Sequence, residues 1–332
     1  MPLAPVTAKS IADAVQVLNN GGLVGLPTET VYGLAADATN NTAVAKIFAA
    51  KGRPHFNPLI AHFASLDAAM EVVELPDYAH KLAQELWPGP LTLVAPLKPS
   101  TAISALARDG GDTLAVRVPR LPNELQRLLN AFPQGLVAPS ANPSGKLSPT
   151  TASHVHQGLR DRVDLVLDGG PCVVGVESTI LDVSTPHPRL LRHGGIAQED
   201  LERRLGPLSQ DLTPERVKAP GQLVSHYAPN AQVRLHKSWS MDQPPDALTL
   251  GFGQQTGTLT LSASSDLVEA ASNYFGCLQT LTPKQMAARF GWHLFPRSGW
   301  AVPSMTDCSE PPRKENVDHR SLYNNPVGSG LR

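Results

Sequence analysis

Thr28, Glu29 and Thr30 follow the apolar, glycine-flanked run Gly22–Leu26, which stops at Pro27. Lys51 and Arg53 come next, two residues apart, behind a short helical pattern. A strand end that releases hydroxyls and one carboxylate, faced by an ammonium and a guanidinium, suits a ligand that is anionic and also carries an amine. The same residues equally suit a capped strand-to-helix loop with two solvated cations. Other groups along the chain have the same double character. Ser140 and Asn142 close the apolar run Gly135–Pro139. Ligands of α/β sheets gather at such strand ends, although Asn-Pro-Ser-Gly is also ordinary turn chemistry. Arg117 lies inside the strand-like segment Thr113–Val118, and a charge there must be paired or face a site. Glu177-Ser-Thr-Ile180 and Leu191-Arg-His-Gly-Gly195 again put polar groups at strand edges. His62, after Pro58–Ala61, is either a core histidine or a ligand group.

Several familiar devices are missing from the sequence. It has no Walker-type loop, no Cys/His set with zinc spacing and no Gly-x-Ser-x-Gly elbow. The inventory therefore points away from a side-chain nucleophile and toward a cleft that positions two charged substrates.

The elements that must position these groups are legible as alternating patterns. Strand-like runs recur at Gly22–Leu26, Pro58–Phe63, Leu91–Leu97, Thr113–Val118, Gly135–Pro139, Leu165–Leu167, Thr179–Val183 and Leu190–Arg192. Helical patterns lie at Ser10–Leu18 behind a Ser cap, then at Thr42–Ala50, Tyr78–Trp87, Asn123–Ala131, Thr151–Leu159 and Gln198–Leu205. This predicts an α/β domain with a mixed sheet over residues 1–206, its short apolar strands covered on both faces. A Pro- and Gly-rich linker is expected at 207–230 and a smaller α/β, Rossmann-like domain at 231–288. In that second unit, strand-like runs at Ala231–Leu235, Ala247–Phe252 and Thr258–Leu261 precede a helix from about Ser265 to Leu281.

At 332 residues the chain is long enough for two cores. Its 28 Lys and Arg nearly balance 29 Asp and Glu, so it lacks the basic excess of a non-specific nucleic-acid binder. Cys172, Cys277 and Cys308 show neither disulfide nor metal spacing. No signal-like or membrane-spanning run occurs, and a soluble cytoplasmic protein is predicted.

Taken in order, the motifs resemble those of the YrdC-like L-threonylcarbamoyladenylate synthases in their long, two-domain form. The matching segments are Pro27–Leu34, Lys51–Pro54, Pro58–His62, Trp87–Leu93, Ala115–Pro119, Ala138–Asn142, Glu177–Ile180 and Leu191–Gly194, with the linker Pro220–Pro229. The resemblance implies that L-threonine, bicarbonate and ATP give L-threonylcarbamoyl-AMP and pyrophosphate. The product would serve a separate tRNA threonylcarbamoyl transferase complex. By motif, Thr30, His62, Arg117, Ala138 and Ser178 should surround threonine, with Arg117 facing its carboxylate. Lys51 and Arg53 should face the triphosphate as the catalytic pair. Arg53, Asn57, Thr113, Ser140, Asn142, Ser148 and Arg192 should surround the nucleotide, and Tyr227 should close over it. Magnesium is expected with the phosphates, without a carboxylate cage of its own. Two other readings use a similar site: carbamoyl transfer through a carbamoyl-adenylate to another acceptor, and a nucleotide- or RNA-binding module without turnover. Direct tRNA binding is left open.

The resemblance stops at the far end. The family closes on a segment like Gly-Leu-Gly-x-Ala-Ile-Asn-Asp-Arg-Leu, whereas residues 289–332 are rich in Pro, Arg, Ser and Asn and nearly aperiodic. Read from the third base of each codon, Arg289–Cys308 can encode Ile-Arg-Met-Ala-Pro-Val-Pro-Glu-Ile-Gly-Leu-Gly-Arg-Ala-Ile-Asn-Asp-Arg-Leu. Three of those residues are forced whatever codons are used: the Ala from Trp292-His293, the second Gly from Trp300-Ala301 and the Asp from Met305-Thr306. A reading-frame shift between about Leu281 and Arg289 is therefore expected, with Trp292, Phe295 and Trp300 left poorly packed after it.

Overall fold

The computed structural model describes residues 2–54, 57–210, 220, 248–255 and 257–281. Tyr227, the strand expected at 231–235, Cys308 and the whole tail beyond Leu281 lie outside the described residues.

The first unit is one mixed sheet of 11 strands. In chain order these are β1 (Leu3–Pro5), β2 (Val24–Leu26), β3 (Gly33–Asp37), β4 (Ile60–His62), β5 (Leu91–Pro96), β6 (Thr113–Arg117), β7 (Leu136–Val137), β8 (Leu165–Asp168), β9 (Thr179–Asp182), β10 (Arg189–Arg192) and β11 (Ser209–Gln210). Their spatial order is β1-β8-β2-β3-β7-β4-β6-β5-β9-β10-β11. The helices are α1 (Ala8–Asn19), α2 (Asn41–Lys51), α3 (Leu66–Met70), α4 (Asp77–Leu86), α5 (Asn123–Asn130), α6 (Ala152–Leu159) and α7 (Gln198–Leu205).

Two cores explain why the strands read as continuous apolar runs. On one face α1 and α5 bury Ile11, Ala14, Leu18, Leu125 and Leu128 against Val24, Leu26 and Ala35. On the other, α2, α4, α6 and α7 bury Ile47, Phe48, Leu82, Val155 and Leu201 against Leu34, Leu93 and Val166. Each fully buried Leu, Ile or Phe contributes about 1.5–3 kcal/mol. Between the helices a small patch of sheet made by Ile60, Val94, Ala115 and Ile180, with Leu191 beside it, forms a separate apolar cluster.

Two local readings are corrected. Helix α1 is capped by Thr7 rather than by Ser10. Thr7 Oγ1 accepts from the Ser10 amide at 3.1 Å, and Ser10 Oγ accepts from the Thr7 amide at 2.9 Å. Ser10 is thus the third helical residue of a capping box, where its hydroxyl satisfies an orphan amide. The Thr28–Thr30 turn leads into a strand, not a helix: β2 and β3 pair antiparallel, Leu26 opposite Gly33. The short strand β1, the five-residue helix α3 and the edge strand β11 were also not legible as patterns. Strand β11 pairs parallel to β10 and carries the main sheet to Gln210, past residue 206.

The described part of the second unit comprises β12 (Leu250–Gly251), β13 (Leu259–Thr260) and α8 (Leu267–Leu281). The two strands are parallel. Helix α8 turns Ala270, Tyr274, Phe275, Leu278 and Leu281 to one side, the spacing of an amphipathic helix, where they pack with Val31, Leu147 and Val176 of the first unit. Among the described residues no helix is long and apolar enough to cross a membrane.

Candidate active site

Strands β4 and β6 are parallel neighbours, with His62 in register with Arg117, so both side chains stand at the carboxyl ends of adjacent strands. Strand β7 runs antiparallel on the far side of β4, and the Ala138 amide donates to the Ile60 carbonyl at 3.0 Å. These three ends and the β2–β3 turn border a cavity that opens to solvent. Thr30, Val31, Ile60, His62, Arg117 and Ala138 are among the residues that line it. Arg53, Pro139, Ser140, Glu177, Ser178 and Arg192 line it too, and Pro220 of the linker reaches its wall.

The cations are held, not solvated. Lys51 is 2% exposed and Arg53 6%, which removes the reading of two solvated cations. Lys51 is the last residue of α2, where its charge complements the helix dipole, and Gly52 follows in the left-handed conformation. Its Nζ donates to the Asn142 carbonyl at 2.6 Å and also to the Ser140 carbonyl. Burial, and then the neighbouring Arg53, hold the Lys51 ammonium well below the usual lysine range, with Glu177 opposing. Lys51 thus stands behind the cavity wall and ties down the Ser140–Asn142 loop, with one N–H of the ammonium left over. Arg53 sends Nε to the Asn57 carbonyl at 3.1 Å and Nη2 to Asn57 Oδ1 at 2.7 Å and the Pro58 carbonyl at 2.8 Å.

Two carboxylates organise the other arginines. Arg117 Nη2 meets Glu29 Oε2 at 2.7 Å, Nη1 donates to Thr30 Oγ1 at 2.9 Å and Nε to the Gly89 carbonyl at 3.2 Å. Arg192 Nη1 meets Glu177 Oε2 at 2.5 Å while Nη2 donates to Ser178 Oγ at 3.0 Å. Sequence reasoning quoted Glu29 and Glu177 within motifs and gave them no role. The signal was there: two arginines predicted inside strands need carboxylates to be buried.

His62 is buried, with Nδ1 3.2 Å from the Ile60 carbonyl. That carbonyl can only accept, so Nδ1 carries the proton and Nε2 is left as an acceptor. Burial and the Arg117 charge push its pKa down to about 3, so the imidazole is neutral at physiological pH.

The remaining expected residues sit one layer out. Ser148 is fully buried and donates to Glu177 Oε1 at 2.9 Å. Asn142 Nδ2 donates to the Pro143 and Lys146 carbonyls at 2.9 and 2.7 Å, and its Oδ1 has no hydrogen-bond partner among the described residues. Asn57 Nδ2, also buried, is likewise without a partner among them. Thr113 stands at the start of β6, four residues before Arg117, and does not line the cavity.

A family model described as telomere recombination, that of the Sua5–YciO–YrdC proteins, matches residues 16–194. A second, described as threonylcarbamoyl-AMP synthase, C-terminal domain, matches residues 196–295. The chain is 44% identical over 227 residues to a threonylcarbamoyl-AMP synthase of Pyrococcus abyssi and 44% identical over 230 residues to one of Bacillus subtilis. These alignments cover 66% and 68% of this chain, and the chain spans 66% of the length of each relative. Its fold matches the crystal structure of P. abyssi Sua5 complexed with L-threonine at a TM-score of 0.80 and 33% identity, over 90% of this chain and 94% of that one. Two matches in tandem, together with that two-domain fold, place the chain in the Sua5–YciO–YrdC family, in the long form that carries the threonylcarbamoyl-AMP synthase C-terminal domain.

Proposed function

We propose that this chain makes L-threonylcarbamoyl-AMP from L-threonine, bicarbonate and ATP and releases pyrophosphate. The observation that carries the reading is the meeting, in one cavity, of Thr30, His62, Arg117, Ala138 and Ser178 with Arg53, Ser140 and Arg192. The first five form a pocket for a small zwitterion and the last three offer guanidinium and hydroxyl donors to phosphate. The substrate's own amine is the nucleophile. It loses a proton and adds to the carbon of bicarbonate, water leaves, and a carbamate oxygen attacks the α-phosphorus as pyrophosphate departs. No side-chain nucleophile is needed; positioning and charge stabilisation supply the rate.

In this reading Arg117 takes the threonine carboxylate with the N–H groups left after Glu29, Thr30 and Gly89, and His62 Nε2 accepts from the threonine hydroxyl or amine. Arg53 and Arg192 meet the phosphates, and the apolar floor around Ile60 and Ala115 suits a flat base. An incoming triphosphate favours the charged form of Lys51, which stands behind the Ser140–Asn142 loop of the cavity wall. Asn57 Nδ2 and Asn142 Oδ1, buried without partners among the described residues, suit a polar ligand. Magnesium enters as part of the ATP substrate, since Glu177 in the cavity lining and Glu29 beside Arg117 are each paired with an arginine. Ser148 stands one layer out and backs the nucleotide half of the site through Glu177. The adenylate is then consumed by a transferase that modifies tRNA.

Lys51→Ala and Arg53→Ala are each expected to lower threonine-dependent pyrophosphate release at least tenfold, about 1.4 kcal/mol of transition-state stabilisation or more. Wild-type turnover in both variants rules the assignment out.

A further inference from the structure

Helix α8 belongs to the second unit, yet it lies behind three loops that shape the cavity. Its apolar side packs on Val31, Leu147 and Val176, which directly neighbour Thr30, Ser148 and Glu177. Those contacts fix a distance but not a direction. A directional contact is made by Gln279, whose Nε2 donates to the Ser148 carbonyl at 2.7 Å. Ser148 Oγ donates to Glu177 Oε1 at 2.9 Å, and Glu177 Oε2 meets Arg192 Nη1 at 2.5 Å. Arg192 Nη2 donates to Ser178 Oγ at 3.0 Å, and Ser178 Oγ lies 2.7 Å from Thr92 Oγ1. An unbroken run of polar contacts therefore leads from half-buried Gln279 to two groups that face the cavity.

We propose that Gln279 is a positioning residue: from the second unit it orients Ser148, and through Ser148 and Glu177 it sets Arg192 for the nucleotide. The Ser148 hydroxyl, donating to Oε1, helps to keep the Glu177 carboxylate plane turned toward Arg192. Ser148 in turn is held by its backbone, and the Gln279 amide is the side chain that fixes its carbonyl. Without that amide a buried carbonyl loses its donor, the Ser148 backbone rotates to recover one, and the hydroxyl leaves Glu177. Arg117, His62 and Thr30 stand outside this run, and Ser178 at its end is also held by Thr92 Oγ1 at 2.7 Å, so the larger loss falls on the nucleotide half of the site. The inference rests on the proposed function for the identity of the ligand, and on the contacts from Gln279 to Arg192 for the coupling.

The test uses the full chain, calorimetric ATP affinity, and pyrophosphate release at varied threonine. Gln279→Leu removes the donor at similar volume. It is expected to weaken ATP binding at least fivefold while the threonine KM stays within twofold and the thermal midpoint holds. If Gln279→Leu does not fold, Gln279→Glu, which keeps the shape and lacks the donor, replaces it with the same expectation. Thr280→Ala, at an exposed position bonded among the described residues back to the Gly276 carbonyl of its own helix, is expected to bind ATP as the wild type does. A double-mutant cycle separates positioning from general support. In a Ser148→Ala background the run is already cut, and Gln279→Leu should then change ATP affinity less than twofold. Full additivity of the two substitutions, unchanged ATP affinity in Gln279→Leu, or equal losses for ATP and threonine with a lower thermal midpoint each overturn the proposal. Absence of threonine-dependent turnover in the wild type sinks the proposed function and leaves the calorimetric cycle to decide Gln279. A wild-type chain that does not bind ATP overturns both.

Discussion

His62 shows how one residue's surroundings assign its chemistry. The Ile60 carbonyl fixes which nitrogen holds the proton, and burial beside Arg117 keeps the ring neutral. The same displacement is a statement about stability. The folded value, about 3, lies below the ordinary 6.5, so between those limits the unfolded chain binds a proton that the folded chain refuses. Stability from this group is therefore complete above pH 6.5 and is lost as pH falls toward 3. The slope is about 1.4 kcal/mol per pH unit for one proton. Denaturant midpoints for the wild type and His62→Gln should show a difference that grows in the wild type's favour from pH 3 to 6.5 and is flat above. A difference that is flat throughout would mean that His62 titrates as an exposed imidazole. Lys51 has its charge disfavoured by burial as well, but with two carbonyls in contact it serves as a tie for the loop beside the cavity.

At the scale of elements, the close approach at Gly194 decides whether the β9 entrance can hold Glu177 and Ser178. A Cβ there would stand 2.3 Å from the Glu177 carbonyl oxygen and 2.5 Å from the Thr179 nitrogen, both backbone atoms that cannot swing away. Gly194→Ala is expected to destabilise the chain by about 1–3 kcal/mol in chemical denaturation. It should also cut turnover at least tenfold, because the strand end that carries Ser178 must shift. Wild-type stability and turnover would show that the loop has room the geometry denies it.

The elements that were legible from sequence are those whose composition matches their burial. Strands β4, β5, β6, β8 and β9 are short apolar runs between turn residues, and α7 falls at Gln198–Leu205, where the pattern put it. Strand β3, Gly-Leu-Ala-Ala-Asp, was hidden because alanine has little strand preference and the run reads as the tail of a turn. It is a strand because β2 and β7 flank it and supply its ladder. The site was legible as a set of residue types. Its wiring was not, since the pairing of Arg117 with Glu29 and the 141-residue span from Leu23 to Asp164 are tertiary facts.

For the whole molecule, the second unit backs the loops that shape the cavity. Helix α8 ends the described residues, and the match to the C-terminal family domain runs on to residue 295. We propose that the reading frame shifts between about Leu281 and Arg289. Sequencing the gene across that junction should find synonymous codons that spell the family's closing segment in the alternative frame. Codons that forbid that segment end the idea. A frame-corrected chain should gain thermal stability and lose a tendency to aggregate, because Trp292, Phe295 and Trp300 would no longer be encoded.

The most direct test is pyrophosphate release from ATP by the purified chain, with mass detection of the nucleotide product. The account predicts release that requires both L-threonine and bicarbonate, with L-threonylcarbamoyl-AMP formed in equal amount. Release that ignores threonine, or a product that is AMP alone, would contradict it.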